Sequence, residues 1–498
     1  MLKLKKISLK SIVKKAKREK MIVFGAGRRL KKFINIYPGL SIENYIYAIL
    51  DNSEEKRGTE IELRGKKFII SSPDSIYSYL NSKIFIFITP VDYYSIYEQL
   101  QHYFAHKNVD CCLFSGDLYR CEALFRKTLN YFPFKNYIFV RGEGDTWENA
   151  SALADFILSN FNKYKVIWVV SHPENFKNKK GIFLKYNTLN METPLFERLK
   201  YIYWNSISKW VIFENTNLEK QRPEQIYVYL KHGEMSLKNI KNVNVKMPPD
   251  INVIIAASEY SKNMLIDQYG IDNNLVFRCG APRTDTLFSN YLDEDVFKLF
   301  NGRNYKKNIL WVPTFRKFSS GIRNDSRREY NKGLPIINND YDLEKIQETL
   351  SKNNIQIIIK PHKYQDLSVY HLEKMPNIRL LLQDDIEKKG FNTIQIMKYF
   401  DAMITDYSSI SFDFLILDRP IAYTLDDLED YKLGLIDNAY DFMPGPHLYN
   451  VDDFCNFITD VSNGEDKYSN FRKEVNEKVN TSVDGHSCER LCHILGIE

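Results

Sequence analysis

The sequence predicts an α/β protein that is built from doubly wound parallel sheets. Short apolar runs of strand length alternate with segments of helical spacing along most of the 498 residues. This alternation is typical of strand–helix–strand units in a parallel sheet. The chain is long enough for about three domains of ordinary size. We therefore expect a smaller domain at residues 21–125, followed by two similar lobes at residues 135–302 and 303–498.

The composition excludes several classes of protein. Apolar residues make up 44% of the chain and charged residues 27%, which indicates a globular rather than a disordered protein. No apolar run approaches the roughly 20 residues that span a bilayer, and the N-terminus lacks the apolar core of a signal peptide. The seven cysteines are scattered without a CxxC pair. This pattern favours a reducing cytoplasm and argues against disulfides and a structural metal site.

Positive charge is concentrated at the N-terminus. Residues 1–20 contain nine basic residues and only Glu19, a net charge of +8, whereas the whole chain carries +6. Apolar residues between Leu9 and Ala16 fall at helical spacing. A short basic amphipathic segment of this kind favours an anionic membrane surface, and the alternative is a solvated helix that binds nothing. No basic-aromatic pattern continues along the chain, which argues against nucleic acid as a partner.

The domain at residues 21–125 begins with a strand and the tight turn Gly25-Ala26-Gly27. A second strand ends at Asp51, and a Gly-x-Gly turn with an acid at this point is similar to a dinucleotide-binding fingerprint. Leu30 occupies the third glycine position, so we expect no tight binding of NAD. Arg28 and Arg29 either meet a phosphate or lie on the surface. We expect the domain to position the rest of the chain or to bind a partner.

A strand, a hydroxyl-rich turn and a helix follow one another at residues 404–423. Such a turn aims free backbone N–H groups and a helix dipole at an anion. The alternative is an ordinary capped helix, which any strand–helix unit contains. The polar residues of this turn are Thr405, Asp406, Ser408 and Ser409.

Other residues with chemical potential also follow predicted strands. In open parallel sheets, ligands bind beyond the carboxyl ends of the strands. His232 and His362 lie at such ends, where an imidazole can take a proton near neutral pH; packing or capping is the alternative for each. Four cations could bind a diphosphate or belong to the ordinary surface, and Asp285 could serve the site or cap a helix. The cations are Arg283, Arg316, Lys360 and Lys363.

Six motifs occur in the order found in the CDP-glycerol glycerophosphotransferase family, which contains teichoic-acid and capsule polymerase-like enzymes. The sequence resembles this family from about residue 137 to the C-terminus. The resemblance implies a GT-B-like pair of lobes, peripheral attachment to the membrane and polymerisation of a polyol phosphate. The motifs are KHGEMSLK (231–238), GAPRTDTLF (280–288), ILWVPTFRK (309–317), IKPHK (359–363), ITDYSSISFDFLILDRPI (404–421) and MPGP (443–446).

The resemblance also implies roles for individual residues. The two functional histidines of the family fall on His232 and His362. The first usually lies in a Trp-His-Gly-Thr string, whereas this chain has Lys231 and Glu234 at the flanking positions, and Glu234 is a candidate to orient His232. The second usually lies in a Leu-His-Pro string, whereas Pro361 precedes His362 here. The first 125 residues lie outside the core of the resemblance and look like the Rossmann-type module that precedes various sugar-modifying and capsule enzymes.

The leading hypothesis is a cytoplasmic, membrane-associated transferase. It would move glycerol phosphate or a related polyol phosphate from a CDP-activated donor to a polymer or lipid-linked acceptor and release CMP, with no further cofactor. The first alternative is a GT-B glycosyltransferase that uses a nucleotide sugar, and the second is a non-catalytic scaffold that only binds nucleotide. The sequence leaves open the polyol, the acceptor, the choice between primase and polymerase, and whether the chain forms a homo-oligomer.

Overall fold

The computed structural model divides the chain into two compact units. The first comprises Met1–Pro133 with Asn187–Ile207, and the second comprises Phe134–Tyr186 with Ser208–Glu498. The structure describes residues 2–7, 9–27, 30–31, 34, 39, 41–89, 93–104, 108–114, 124–142, 149–176, 179–185, 195–214, 220–233, 235–239, 247, 250–288, 293–314, 326–328, 330, 332–362, 365, 367, 370, 372 and 375–498.

The first unit is an α/β domain with one sheet. Its described strands follow the order β1-β7-β6-β2-β3-β5-β4 and are parallel apart from the hairpin of β4 and β5. The five apolar residues of β6 are all buried, as expected for a central parallel strand that is covered on both faces. The strands are β1 (Leu2–Ile7), β2 (Lys20–Phe24), β3 (Ile46–Leu50), β4 (Glu60–Leu63), β5 (Lys66–Ser71), β6 (Ile84–Ile88) and β7 (Val109–Phe114), and the longer helices are Leu9–Ala16, Tyr93–Tyr103 and Leu195–Ile207.

The basic N-terminal segment is part of this sheet. β1 pairs in parallel with β7 along its whole length. The helix Leu9–Ala16 has the predicted spacing, but its Ile12 is fully buried in the core of the unit. Lys5 and Lys15 both lie within 3 Å of a carboxylate oxygen of Asp110, at 2.7 and 2.9 Å. We expected residues 1–20 to form a separate segment. This expectation is wrong, because β1 is a strand of the sheet and the apolar face of the helix Leu9–Ala16 packs in the core of the domain.

The glycine turn of the first unit is held by the acid at the end of the next strand. The backbone N–H of Ala26 donates to Asp51 Oδ2 at 2.6 Å, and the N–H of Ser53 donates to Asp51 Oδ1 at 2.9 Å. In a dinucleotide fold, the corresponding carboxylate binds a ribose hydroxyl; here it binds the turn. Leu30 is fully buried. Both observations agree with the expected lack of tight NAD binding, which stays a prediction, and residues 28 and 29 lie outside the described residues.

The first lobe of the second unit is a parallel sheet. Its described strands follow the order β10-β9-β8-β11-β12-β13-β14. The helix Glu259–Tyr269 begins at a reciprocal cap between Ser258 and Ser261 and ends at Gly270 in the left-handed conformation. The strands are β8 (Lys135–Arg141), β9 (Lys165–Val170), β10 (Ile182–Lys185), β11 (Ser208–Phe213), β12 (Ile226–Tyr229), β13 (Val253–Ala256) and β14 (Val276–Arg278); the helix Asn149–Asn160 and the 3-10 helix Pro282–Phe288 also belong here.

The second lobe is another parallel sheet, and it confirms the predicted fold class. Its described strands follow the order β17-β16-β15-β18-β19-β20, so the two lobes repeat the same doubly wound design. The strands are β15 (Lys307–Trp311), β16 (Ile355–Ile359), β17 (Ile378–Leu380), β18 (Ala402–Thr405), β19 (Ile421–Thr424) and β20 (His447–Leu448). The helices are Glu294–Phe300, Asp340–Asn353, Gln383–Lys388, Thr393–Met397, Ile410–Leu415, Val451–Asn463 and Ser469–Val479.

The last helix of the chain, Ser487–Leu495, returns to the first lobe. Cys488 and Leu491 are buried in the same apolar cluster as β8 and β9, and Trp210 Nε1 donates to the carbonyl of Leu495 at 2.9 Å. We expected residues 303–498 to form the second lobe, but the helix Ser487–Leu495 at the end of this range packs against the first lobe. None of the helices in the described part of the chain combines the length and the hydropathy needed to cross a bilayer.

Candidate active site between the two lobes

Gly233 brings the histidine loop of the first lobe against the second lobe. The loop follows the carboxyl end of β12 and contains Lys231, His232 and Gly233, with His232 exposed. Gly233 has a φ of 78°, and a Cβ built there would lie 2.6 Å from Ser409 Oγ and 2.9 Å from Ser409 Cβ. Only glycine combines this left-handed backbone with so close an approach. The loop that carries His232 therefore contacts the turn that carries Ser409.

Lys231 holds the turn of the histidine loop from within. Its ammonium donates to the carbonyl of Gly233 at 2.9 Å and lies 5.1 Å from the centre of the Tyr269 ring. Burial raises the pKa of Tyr269, so the phenol stays neutral and offers an aromatic face to the cation. The side chain that replaces the family's tryptophan thus folds back on its own loop.

Asn149 joins three strand-end segments of the first lobe. Its side-chain Nδ2 donates to the carbonyl of Lys231 at 3.2 Å, and its backbone N–H donates to Glu214 Oε1 at 3.1 Å. Its Oδ1 accepts from the backbone N–H of Arg283 at 3.1 Å. Asn149 is fully buried, so these bonds are shielded from water. Sequence reasoning missed Asn149 and Glu214, although Glu214 directly follows β11 just as Lys360 directly follows β16.

Arg283 pairs with the second lobe. Its Nη2 lies 3.1 and 3.0 Å from the two carboxylate oxygens of Asp413, and its Nε donates to Oδ1 at 3.3 Å. The two side chains are 2% and 8% exposed. The guanidinium that we assigned to the donor phosphates is thus bound to a carboxylate.

Asp285 caps the last helix of the chain. Its Oδ1 accepts from the backbone N–H of Ser487 at 2.9 Å and its Oδ2 accepts from that of Cys488 at 2.8 Å. A carboxylate at a helix N-terminus satisfies N–H groups that lack partners within the helix. Of our two interpretations of Asp285, capping is the one that matches these bonds, although the helix it caps begins 202 residues later.

Thr405 and Asp406 fasten β18 to the end of β15. Thr405 Oγ1 donates to the carbonyl of Val312 at 2.9 Å. The carboxylate of Asp406 accepts from the backbone N–H of Thr314 at 2.8 Å and from its hydroxyl at 2.5 Å. Both residues are fully buried. Their side chains therefore bind Val312 and Thr314, whereas we expected them to contact the donor.

Ser408 and Ser409 precede the helix Ile410–Leu415 and are half-buried. Ser409 occupies the N-cap position, yet its side chain makes no capping hydrogen bond to that helix. The carbonyl of Ser408 accepts from Ser411 Oγ at 2.9 Å. The two serines therefore lie in the turn that contacts the histidine loop, with Ser409 directly against Gly233, and their contact with a donor stays a prediction.

Lys360 and His362 follow β16 in the second lobe. The backbone N–H of Lys360 donates to the carbonyl of Trp311 at 2.9 Å, and the carbonyl of His362 accepts from the N–H of Gln365 at 2.9 Å. Lys360 is nearly buried and His362 is half-buried. The structure thus places both at the carboxyl edge of the second sheet. Three further candidates, Arg316, Glu234 and Lys363, lie outside the described residues.

The segment after the histidine loop also pairs with the second lobe. The N–H of Ile436 donates to the carbonyl of Leu237 at 2.9 Å, and the N–H of Asn239 donates to the carbonyl of Gly434 at 3.1 Å. These bonds form a short antiparallel bridge. The two lobes are therefore joined twice after His232, at Gly233 and again at residues 237–239.

Asp426 lies just beyond the end of β19. Its Oδ2 accepts from the N–H of Ile336 at 3.0 Å and from the hydroxyl of Tyr330 at 3.1 Å. Burial raises the pKa of Asp426 above its ordinary range despite these bonds. The carboxylate thus ties the segment before the helix Asp340–Asn353 to the edge of the sheet.

A family model matches the part of the chain that forms the two lobes. The model described as CDP-glycerol:poly(glycerophosphate) glycerophosphotransferase matches residues 133–496. The chain belongs to this family. As a member of the glycerophosphotransferase family it is a transferase, which confirms the resemblance seen in the sequence. The match begins at residue 133, so the first unit lies outside it.

Individual relatives agree with the family. The teichoic acid glycerol-phosphate primase of Bacillus subtilis (strain 168) is 26% identical over 321 residues, which cover 60% of this chain and 76% of the primase. The teichoic acid glycerol-phosphate transferase of Staphylococcus aureus (strain NCTC 8325 / PS 47) is 22% identical over 395 residues, which cover 74% of this chain and 95% of the transferase.

Solved structures share the fold of this glycerophosphotransferase. The wall teichoic acid polymerase TagF superposes with a TM-score of 0.58 at 18% identity, covering 76% of this chain and 93% of TagF. A TagF variant soaked with CDPG has a TM-score of 0.58 at 16% identity, covering 76% of this chain and 95% of that one. At this level of identity the likeness shows the fold, and the GT-B-like pair of lobes is confirmed.

Proposed function

We propose that this chain transfers glycerol phosphate from CDP-glycerol to the hydroxyl end of a growing teichoic acid-type polymer and releases CMP. The family match supports the reaction class. The observation that carries the proposal is the contact between Gly233 and Ser409. It puts a histidine loop from one lobe beside a hydroxyl-rich turn from the other, where an acceptor and a phosphate donor have to meet.

His232 is the proposed general base. The acceptor hydroxyl loses its proton to the imidazole as its oxygen bonds to the β-phosphorus of the donor. The bond between that phosphorus and the bridging oxygen breaks, and CMP leaves with the electron pair. An exposed histidine at the mouth of the first lobe is suited to this task because it is accessible to a large acceptor.

The donor phosphates are proposed to lie on the second lobe. Ser408 and Ser409 supply hydroxyls, and His362 with Lys360 would neutralise charge that builds on the departing CMP phosphate. Arg283 keeps only an indirect part in this scheme, since its guanidinium is paired with Asp413.

A donor panel tests the proposed function. Purified chain is incubated with a short synthetic glycerol phosphate oligomer on a lipid, and CMP release is followed with CDP-glycerol, CDP-ribitol and a set of nucleotide sugars. We expect turnover with CDP-glycerol that is lost in His232→Ala. Turnover only with a nucleotide sugar would favour a glycosyltransferase, and nucleotide binding without turnover by any donor would favour the scaffold. A capsular rather than a wall polymer as the acceptor would appear as a preference for a different oligomer.

We also propose that the protein works from the cytoplasm at the inner face of the cell membrane. The support is the net charge of +8 at residues 1–20 and the exposure of basic side chains on this stretch of the first unit. Each basic residue near an anionic surface contributes about 1 kcal/mol to binding. The exposed basic residues described in this stretch are Lys3, Lys5, Lys14, Lys17 and Arg18, of which Lys5 pairs with Asp110.

Charge reversal is a cleaner test than deletion, because deletion of residues 1–20 would remove β1 from the sheet. The variant Lys14→Glu/Lys17→Glu/Arg18→Glu should sediment less with phosphatidylglycerol vesicles, and wild-type binding should weaken as salt rises. The control changes net charge equally at exposed basic residues elsewhere in the first unit, with Arg57→Glu/Lys66→Glu/Lys83→Glu. Equal sedimentation of both variants would contradict the proposal. Light scattering of the same samples would show whether a homo-oligomer forms.

A further inference from the structure

We propose that Arg283, Asp413 and Asn149 are positioning residues for the transfer reaction. Together they fix the loop that carries His232 relative to the turn that carries Ser409. This inference rests on the proposed function, since it concerns how the two halves of that site are held in register. We call the connected set Lys231, Asn149, Arg283 and Asp413 the interlobe relay.

The relay begins next to His232. Lys231 directly precedes His232, and its backbone carbonyl accepts a hydrogen bond from Asn149 Nδ2 at 3.2 Å. The same amide accepts from the N–H of Arg283 through Oδ1 at 3.1 Å. One fully buried side chain therefore sets the spacing between the histidine loop and the segment that carries Arg283. Because buried hydrogen bonds of this kind cannot be replaced by water, the spacing is costly to change.

The relay continues across the lobes through the ion pair. Arg283 offers Nε and Nη2 to both oxygens of Asp413 within 3.3 Å. Asp413 is on the helix Ile410–Leu415, one turn after Ser409, so a bidentate partner fixes both the position and the rotation of that helix. The helix in turn orients Ser408 and Ser409.

Stability alone does not account for such a pair. Two charges that are 2% and 8% exposed have lost most of their hydration, and apolar side chains of similar size often stabilise a fold equally well or better. What an apolar pair lacks is directional geometry. A transfer reaction needs that geometry, because a misplacement of about 1 Å at a reacting group can cost on the order of 100-fold in rate.

The relay closes into a ring at the active site. Gly233 contacts Ser409 directly, while Asn149, Arg283 and Asp413 connect the same two segments through buried side chains. The residues on either side of His232 in the sequence are therefore both held, Lys231 by Asn149 and Gly233 by its contact with Ser409. Loss of the buried connection should leave the contact in place but allow it to slide.

An apolar replacement of the ion pair separates positioning from folding. The variant Arg283→Met/Asp413→Leu should keep a melting temperature near that of the wild type. We expect its KM for CDP-glycerol to stay within about twofold and its kcat to fall about tenfold or more. Amide hydrogen exchange in residues 231–239 should rise by a similar factor, a readout that needs no turnover. Wild-type kcat together with wild-type exchange in a folded double variant would overturn the inference.

Other variants cover the case in which the double variant does not fold. Asp413→Asn preserves shape and one hydrogen bond, and it should show a smaller loss of kcat with the same rise in exchange. Asn149→Ala should do likewise, whereas Asn160→Ala, at the other end of the same helix and with a side chain that donates to the carbonyl of Phe156, should not. If Asn149→Ala and Asn160→Ala behave alike, the relay has no positioning role.

A buried arginine elsewhere is the matched control for lost ion pairing. Arg472 is 2% exposed and pairs with Asp418 and Asp466, all within the second lobe. Arg472→Met should lower the melting temperature without raising exchange in residues 231–239. A rise equal to that of the Arg283 variant would show general loosening and overturn the inference. If the wild type releases no CMP from CDP-glycerol, the proposed function fails, while the exchange experiment still decides whether the relay joins the lobes.

Discussion

Replacement of Gly233 by alanine tests the contact on which the candidate site depends. An alanine at a φ of 78° is strained by about 1–2 kcal/mol. Its Cβ would also lie 2.6 Å from Ser409 Oγ, whereas unstrained heavy atoms prefer separations near 3.5–4.0 Å. The histidine loop and the serine turn must then move apart by about 1 Å, which predicts a fall in kcat on the order of 100-fold.

Gly270 provides a control with the same strain and no contact. It ends the helix Glu259–Tyr269 at a φ of 64°, and a Cβ built there meets nothing within 4 Å. Gly270→Ala should therefore lose about 1 kcal/mol of unfolding free energy and keep its turnover, whereas Gly233→Ala should lose both. Thermal denaturation and CMP release measure the two effects. Equal turnover in the two variants would refute the placement of the His232 loop against Ser409.

Three further predictions concern the chemistry and the second lobe. His232→Ala should lower turnover by roughly 10²–10⁴-fold while donor binding survives, and His362→Ala should lower both; loss of donor binding in the first variant alone would reverse the two assignments. Replacement of Ser408 and Ser409 by alanine should weaken donor binding in calorimetry, and unchanged affinity would place the phosphates elsewhere. Because burial raises the pKa of Asp426, its contribution to stability is lost as the pH rises through that pKa. The unfolding free energy of Asp426→Asn relative to wild type should therefore increase as the pH is raised above about 4, the ordinary pKa of an aspartate, and a difference that does not change with pH would contradict this.

The architecture was accessible from the sequence because its signals are local. Apolar runs such as those of β6 and β13 are continuous and short, as is typical of buried parallel strands. The position of a residue at a strand's carboxyl end is local as well, so His232, His362 and the two serines were placed correctly at the edges of the sheets. One local signal was missed: leucine and lysine alternate over residues 2–5, a period of two that is typical of a strand and not of a helix.

The partners of polar side chains were not accessible in the same way. Arg283 binds an acid 130 residues later, and Thr405 binds a carbonyl 93 residues earlier. The spacing of residues in the sequence does not indicate pairs this far apart. We therefore assigned polar and charged residues near strand ends to ligand binding. In the structure, much of that charge is used to hold the lobes and their sheets together. The candidate donor contacts are accordingly reduced to hydroxyls, one histidine and one lysine among the residues that the structure describes.

Lys231 stands where the family motif usually has tryptophan, and it holds the histidine loop through its ammonium. The ammonium donates to the carbonyl of Gly233 and lies 5.1 Å from the centre of the Tyr269 ring. These contacts join Lys231 to Gly233 and Tyr269 and do not involve the imidazole of His232. Lysine in place of tryptophan is therefore compatible with an unchanged reaction class. Differences in the polyol or acceptor would have to arise on the exposed side of the loop.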